Sequence, residues 1–139
     1  MRKGLGILLV VASVGCQLRQ DAPPDIAGMW EQQSLSMHGV PWSHPEGLRF
    51  VTIFTNSTFR QTLEGKADPG AGTYVTRRAS PLAELDMIYN KDSRNVGATV
   101  ECLYQRDGDT LTIWNQDGGP RPTSLTGTNL IVQIMKRVK

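Results

Sequence analysis

A chain of 139 residues with 14 glycines, 8 prolines and two cysteines accommodates one domain with its own core and a short leader. Its formal charge of +2 rests on Arg2 and Lys3 in that leader: 15 Lys and Arg less those two leaves 13, against 13 Asp and Glu. A near-neutral body argues against a nucleic-acid binder, which would need a basic stripe to displace counterions, and no polybasic run is present for anionic lipid.

Met1-Arg2-Lys3 is a short positive segment, and Gly4 to Gly15 is a largely apolar run of twelve residues. Spanning a bilayer takes about 20 apolar residues, so the run is too short for a transmembrane helix but suits the core of a signal peptide. It ends in Ala12-Ser13-Val14-Gly15-Cys16. Small residues directly before a cysteine resemble the lipobox of bacterial lipoproteins, with Ser13 standing where Leu is usual. In that family the thiol takes a diacylglyceryl group and becomes the new N-terminus after cleavage. The resemblance implies that residues 1–15 are a lipoprotein signal peptide and that Cys16 carries a lipid anchor, with palmitate-type acylation, into a membrane. An ordinary secretory signal, with Cys16 incidental and the domain secreted, is the alternative. Gln17 to Asp25 is polar, contains Pro23-Pro24 and has no apolar period, so residues 16–25 read as an extended tether. Gln17, rather than Asp, after the cysteine is similar to lipoproteins routed to the outer membrane of double-membraned bacteria. With Cys16 acylated, Cys102 is the only thiol left, which excludes an intrachain disulfide. Cys102 lies mid-strand between Val100 and Tyr104 and reads as a small core residue.

From Ile26 onward the pattern is β. Ile26 to Ser34 opens the domain as a strand entered through Gly28. His38 to Gly47 reads as a loop with two prolines and two glycines. Leu48 to Thr55 alternates, Asn56-Ser57 turns, and Thr58 to Leu63 completes a hairpin. Glu64 to Gly70 reads as a turn-rich link, Gly72 to Arg77 as the next strand, and Ala83 to Tyr89 as another. Asn90 to Gly97 is a charged loop. Ala98 to Gln105 and Thr110 to Asn115, rich in Val, Thr, Tyr, Ile and Trp, flank Asp107-Gly108, the clearest hairpin signal in the chain. Asn129 to Val138 is the last strand. No window in the body keeps a 3.6-residue apolar period. About eight short strands with hairpin-sized links predict an antiparallel up-and-down meander, closed into a β-barrel that removes exposed edges. A two-sheet sandwich is the alternative.

Gly28-Met29-Trp30 resembles the G-x-W signature of lipocalins. In that superfamily Gly permits close backbone approach, the indole plugs one barrel end, and a basic residue near the end of the last strand packs over the Trp face. The resemblance assigns that role to Arg137, with Lys136 as the fallback. A longer series comprises Gly39-Val40-Pro41, Gly47-Leu48-Arg49-Phe50, Gly72-Thr73-Tyr74, Gly108-Asp109-Thr110-Leu111-Thr112 and Gly119-Pro120-Arg121-Pro122-Thr123. It is similar to an uncharacterised bacterial lipocalin-like domain family of secreted proteins and lipoproteins, over residues 26–139. That likeness implies a lipocalin-like barrel in the cell envelope and carries no established activity. Trp114 stands where the family often has a smaller residue.

Several side chains are candidates for function. Trp42, in the loop between the first two strands, would lie across a barrel mouth on the lipocalin comparison, and reads either as a lid or partner contact or as a simple packed Trp. Tyr74, Tyr104 and Trp114 are strand aromatics, either core filler or the wall of a ligand cavity. Arg121 is held between Pro120 and Pro122. It reads either as an anion clamp at a cavity edge or as a structural Arg bonding loop carbonyls or a carboxylate such as Glu101. His38, His44 and Glu46 lack a standard zinc spacing, so no metal and no cofactor is expected. No phosphate loop, nucleophile elbow or triad context appears, and the turn carboxylates are explained by turn chemistry. The expectation is a non-enzymatic, membrane-tethered extracytoplasmic barrel that binds a small hydrophobic or amphipathic molecule. A filled barrel serving as an envelope interaction module, its protein partner unknown, is the alternative.

Overall fold

A computed structural model describes residues 22–43, 47–64, 66–90 and 97–139. The leader, Cys16 and the chain to Asp21 lie outside the described residues, as do His44, Pro45 and Glu46. Nine strands follow in order: β1 (Gly28–Met37), β2 (Val40–Trp42), β3 (Phe50–Phe54), β4 (Thr58–Leu63), β5 (Lys66–Arg77), β6 (Ala83–Tyr89), β7 (Thr99–Asp107), β8 (Thr110–Gln116) and β9 (Leu130–Arg137). No helix occurs among the described residues. Every pairing is antiparallel between sequence neighbours, save that β1 also pairs with β9 and, past β2, with β3. That closing ladder turns β1 and β3 to β9 into an eight-stranded up-and-down barrel, a lipocalin-like architecture, and rules out two separate layers.

Period-two alternation sets the two faces of the wall. On β6, Ala83, Leu85, Met87 and Tyr89 are buried while Glu84, Asp86 and Ile88 face outward. On β8, Leu111 and Ile113 are buried between more exposed neighbours. A one-residue slip would invert both faces, so this pattern fixes the register. The interior is packed around Trp30, Phe54, Leu85, Cys102, Tyr104, Leu111 and Met135, each at most 2 % exposed. Aromatic edges add direction to this packing. Phe54 meets Tyr74, and Phe59 meets Tyr89, in T-shaped pairs with centroids 5.0 Å apart.

Three segments differ from the sequence-based expectation. The first strand extends to Met37 and turns at once into β2, because His38 (φ +55°) and Gly39 (φ +77°) together form a two-residue turn with Met37 paired to Val40. β2 therefore occupies part of the predicted loop. It pairs with Leu35–Met37 of β1, beyond the Gly28–Glu31 stretch that pairs with β3. The predicted link from Glu64 to Gly70 is instead mostly strand: the chain turns at Glu64 (φ +54°) and β5 begins at Lys66. Its Pro and Gly content is accommodated by a bulge, in which residues 67–69 lie opposite Thr62 alone. In the third segment, the β7–β8 turn is centred one residue later than Asp107-Gly108. Asp107 pairs with Thr110, leaving Gly108 (φ +58°) and Asp109 as the central residues.

Candidate functional site

The two ends of the barrel are built differently. At one end Gly28 adopts φ +137°, a conformation side chains resist, and an added Cβ would lie 3.5 Å from the Arg137 guanidinium. Two residues on, Trp30 is fully buried, and its indole Nε1–H donates to the Ile26 carbonyl at 2.8 Å. The Arg137 guanidinium carbon sits 4.8 Å from the Trp30 ring centroid and that of Arg106 5.7 Å away, so two cations lie against one indole. Arg137 also donates to the Ala27 carbonyl at 3.3 Å. Gly28, Trp30 and Arg137 are thus together, in the arrangement the G-x-W resemblance implies.

The segment ahead of β1 closes this end. Tyr104 Oη donates to the Pro24 carbonyl at 2.7 Å, Arg106 donates to the Asp25 carbonyl at 2.5 Å, and Ile26 is 1 % exposed. The chain is therefore fastened to the barrel from Pro24, two residues before the expected domain start at Ile26. Tyr104 serves this closure, and burial pushes its hydroxyl pKa up to about 12.

At the opposite end the wall encloses a cavity of about 580 Å³, within the range of small-molecule sites. Met87, Cys102 and Ile113 form its apolar floor, and Gln61, Tyr89, Val100, Asn115, Ile131 and Gln133 its sides. Asp117, Gly118 and Gly119 lie at the rim. Tyr89 Oη donates to Gln61 Oε1 at 3.2 Å, and Gln133 Nε2 donates to Gln32 Oε1 at 2.6 Å. Burial pushes both the Tyr89 hydroxyl and the Cys102 thiol up to about 12, so both are neutral at physiological pH. Thr52, the cross-strand partner of Gln61, is 1 % exposed, and its hydroxyl has no hydrogen-bond partner. Space for the Tyr89–Gln61 pair comes from β5. A Cβ at Gly70 would lie 2.5 Å from a Tyr89 ring carbon and 2.8 Å from Gln61 Oε1.

The remaining candidates lie elsewhere. Tyr74 packs on Phe54, and its hydroxyl donates to the Thr55 carbonyl near the plugged end. Trp114 is on the outer face of β8, paired across the strands with Leu103 and Val132, so it is neither interior filler nor cavity wall. Trp42 is exposed on β2 beside Val40, at the mouth end and outside the cavity lining. Arg121 also lies outside the wall. It donates to Asp86 Oδ1 and to the Cys102 carbonyl, each at 2.6 Å, and its backbone N–H reaches Glu101 Oε2 at 3.3 Å. Burial tends to raise the Asp86 carboxyl pKa, but hydrogen bonds from Arg121 and Arg77 outweigh it and hold the group below its ordinary value. Arg121 therefore fastens the β8–β9 connection onto β6 and β7. His38 sits between the Thr128 carbonyl (3.1 Å) and Asp117 Oδ2 (3.2 Å). Among the described residues no cluster of His, Cys, Asp or Glu is placed to hold a metal.

Sequence reasoning singled out aromatics and missed the residues that line the mouth. The signal was in the pattern: Gln61, Asn115 and Gln133 stand in phase with the buried Phe59, Ile113 and Met135 on their own strands. A polar side chain on the inward phase of a strand marks either a bonded core group or a cavity.

Fold and site together define an up-and-down, lipocalin-like barrel, plugged at one end and hollow at the other. No protein-family model matches the chain, and comparison with curated proteins finds no similar sequence.

Proposed function

We propose that this domain is a non-enzymatic carrier that takes up a small hydrophobic or amphipathic molecule at the open end, held outside the cytoplasm by a lipid on Cys16. The observation that carries the binding half is the cavity of about 580 Å³ over an apolar floor, opposite a sealed end. A preformed recess of that kind binds without ordering new structure. The Gly28-x-Trp30 pattern, with Arg137 over the indole, supports the lipocalin-like reading independently of the cavity. The lipobox-like Ala12 to Cys16 supports the anchor, and the near-neutral body gives no reason to expect nucleic acid.

Intrinsic Trp emission is a poor reporter here, since Trp30, Trp42 and Trp114 all lie outside the cavity lining. Displacement of an uncharged hydrophobic dye by medium-chain amphiphiles tests the carrier directly, and saturable displacement is expected. A flat titration refutes it and leaves the interaction-module reading, which the exposed Val40 and Trp42 on β2 favour. The anchor is tested separately. Cys16→Ser should abolish fatty-acid labelling and release the protein from membranes, and retained labelling refutes the assignment.

A further inference from the structure

Resting on the carrier reading, we infer that the cavity selects an uncharged amphiphile whose head group both donates and accepts hydrogen bonds, such as an amide or a glyceride, and discriminates against carboxylates of the same chain length. Among the described lining residues there is no Lys, Arg or His, and the one charged group is Asp117, a carboxylate at the rim. Arg121, which bonds the Cys102 carbonyl behind the cavity floor, is on the far side of the wall and committed to Asp86 as well. An anion entering the recess would therefore lose water and find no cation among the described lining residues, and the rim carboxylate, Asp117, is itself bonded to His38.

What the recess does offer is neutral and bifunctional. Gln61, Asn115 and Gln133 each carry an amide, which has two donor hydrogens and an acceptor oxygen. Among the described residues the Tyr89–Gln61, Gln133–Gln32 and Asn115–Gln116 carbonyl bonds use only part of that capacity. Thr52, directly across the strand from Gln61, has a buried hydroxyl with no partner. It stands behind the recess and outside its lining, so the amides are the groups that meet a head group. Beneath these groups Met87, Cys102 and Ile113 present an apolar floor to the ligand's tail. The raised Tyr89 and Cys102 pKa values agree, because the same desolvation that keeps them protonated would penalise a bound carboxylate.

The test compares octanamide, monooctanoylglycerol and octanoate at pH 7.5, followed by amide and side-chain NMR shifts of the labelled protein. Octanamide and the glyceride should bind saturably, shifting the side-chain amides of Gln61, Asn115 and Gln133. Octanoate should bind on the order of tenfold more weakly, or worse. Gln133→Lys, which places a cation in the recess, should reverse the order in favour of octanoate, and Asn115→Lys serves if that variant fails to fold. Equal or tighter binding of octanoate by the wild type overturns the head-group inference while leaving the carrier reading standing. Saturable shifts at the plugged end alone also overturn it. Absence of saturation by all three compounds defeats the carrier reading and the inference with it.

Discussion

Replacing Gly70 with Ala probes how the mouth of the barrel is built. The new methyl would sit 2.5 Å and 2.9 Å from two Tyr89 ring carbons and 2.8 Å from Gln61 Oε1. Contacts that short must be relieved. Gln61 can swing its amide aside, whereas the Tyr89 ring is held by its edge contact with Phe59. Adding a methyl group to a packed site costs about 1–3 kcal/mol. Set against this is the entropy a Gly-to-Ala change recovers in a strand, about 0.5–1 kcal/mol. A net loss of about 1–2 kcal/mol is therefore expected in urea unfolding, as a lower midpoint at unchanged slope. The decisive comparison is the double-mutant cycle with Tyr89→Ala. With the ring gone, Gly70→Ala should cost nothing or stabilise slightly, giving a coupling of about 1–2 kcal/mol. Gly72→Ala is the control: its Cβ would fall 1.9 Å from the Ile88 carbonyl oxygen, a backbone atom that no side-chain deletion removes. Its cost should be larger and should persist in the Tyr89→Ala background. If the Gly70→Ala penalty were unchanged without Tyr89, the claim that this glycine makes room for the cavity wall would be wrong.

Three further outcomes follow from the closed end and the outer wall. Arg137→Met should cost about 1–2 kcal/mol through loss of the contact over Trp30 and the bond to Ala27, with Arg137→Lys restoring only part; equal stability of all three proteins in urea would show the contact to be idle. Asp86, held below its ordinary pKa by Arg121 and Arg77, contributes stability that is complete above about pH 4 and lost as pH falls through its folded value. Arg121→Met should therefore flatten the acid limb of the stability–pH curve, and an unaltered limb would point to other carboxylates. In a Cys16→Ser chain, Cys102 is the sole thiol; with its pKa pushed up to about 12 it should react with a disulfide reagent at pH 8 only after unfolding. Rapid native labelling would mean that the thiol ionises far more readily than its burial implies.

The fold was legible because every cue agreed. Turn residues separated runs of alternating polarity, and that alternation is what carries Leu85, Cys102, Tyr104, Leu111 and Met135 into the interior. The failures were local and had local causes. His38 in a left-handed turn is a rare choice, so Gly39 alone looked like loop and β2 was missed. Pro69 and Gly70 read as part of a turn-rich link, yet the first lies in a bulge and the second admits Tyr89. The site was harder. Trp and Tyr draw attention in a sequence, but whether they face in, out or along the rim depends on strand phase and on which end of the strand they occupy. Trp114 follows Ile113 by one residue and so faces away from the cavity that Ile113 helps to floor. Arg121 sits in a connection whose path across β6 and β7 no local pattern specifies.

Strand position also explains why one end is solid and the other hollow. Going from the plug toward the mouth, the inward side chains pass from Trp30 to Gln32 on β1 and from Phe59 to Gln61 on β4. They pass from Ile113 to Asn115 on β8 and from Met135 to Gln133 on β9. Apolar side chains at the first positions gain by excluding water and pack to crystal-like density. Amides at the second positions gain nothing from mutual burial beyond the bonds they can make, so they favour a recess that water or a polar head group can share. The cavity is on this account a consequence of composition, not of poor packing. Replacing Gln61, Asn115 and Gln133 together with Leu should therefore close the mouth and raise the unfolding midpoint while abolishing uptake. A triple variant that unfolds more easily yet still binds would contradict it.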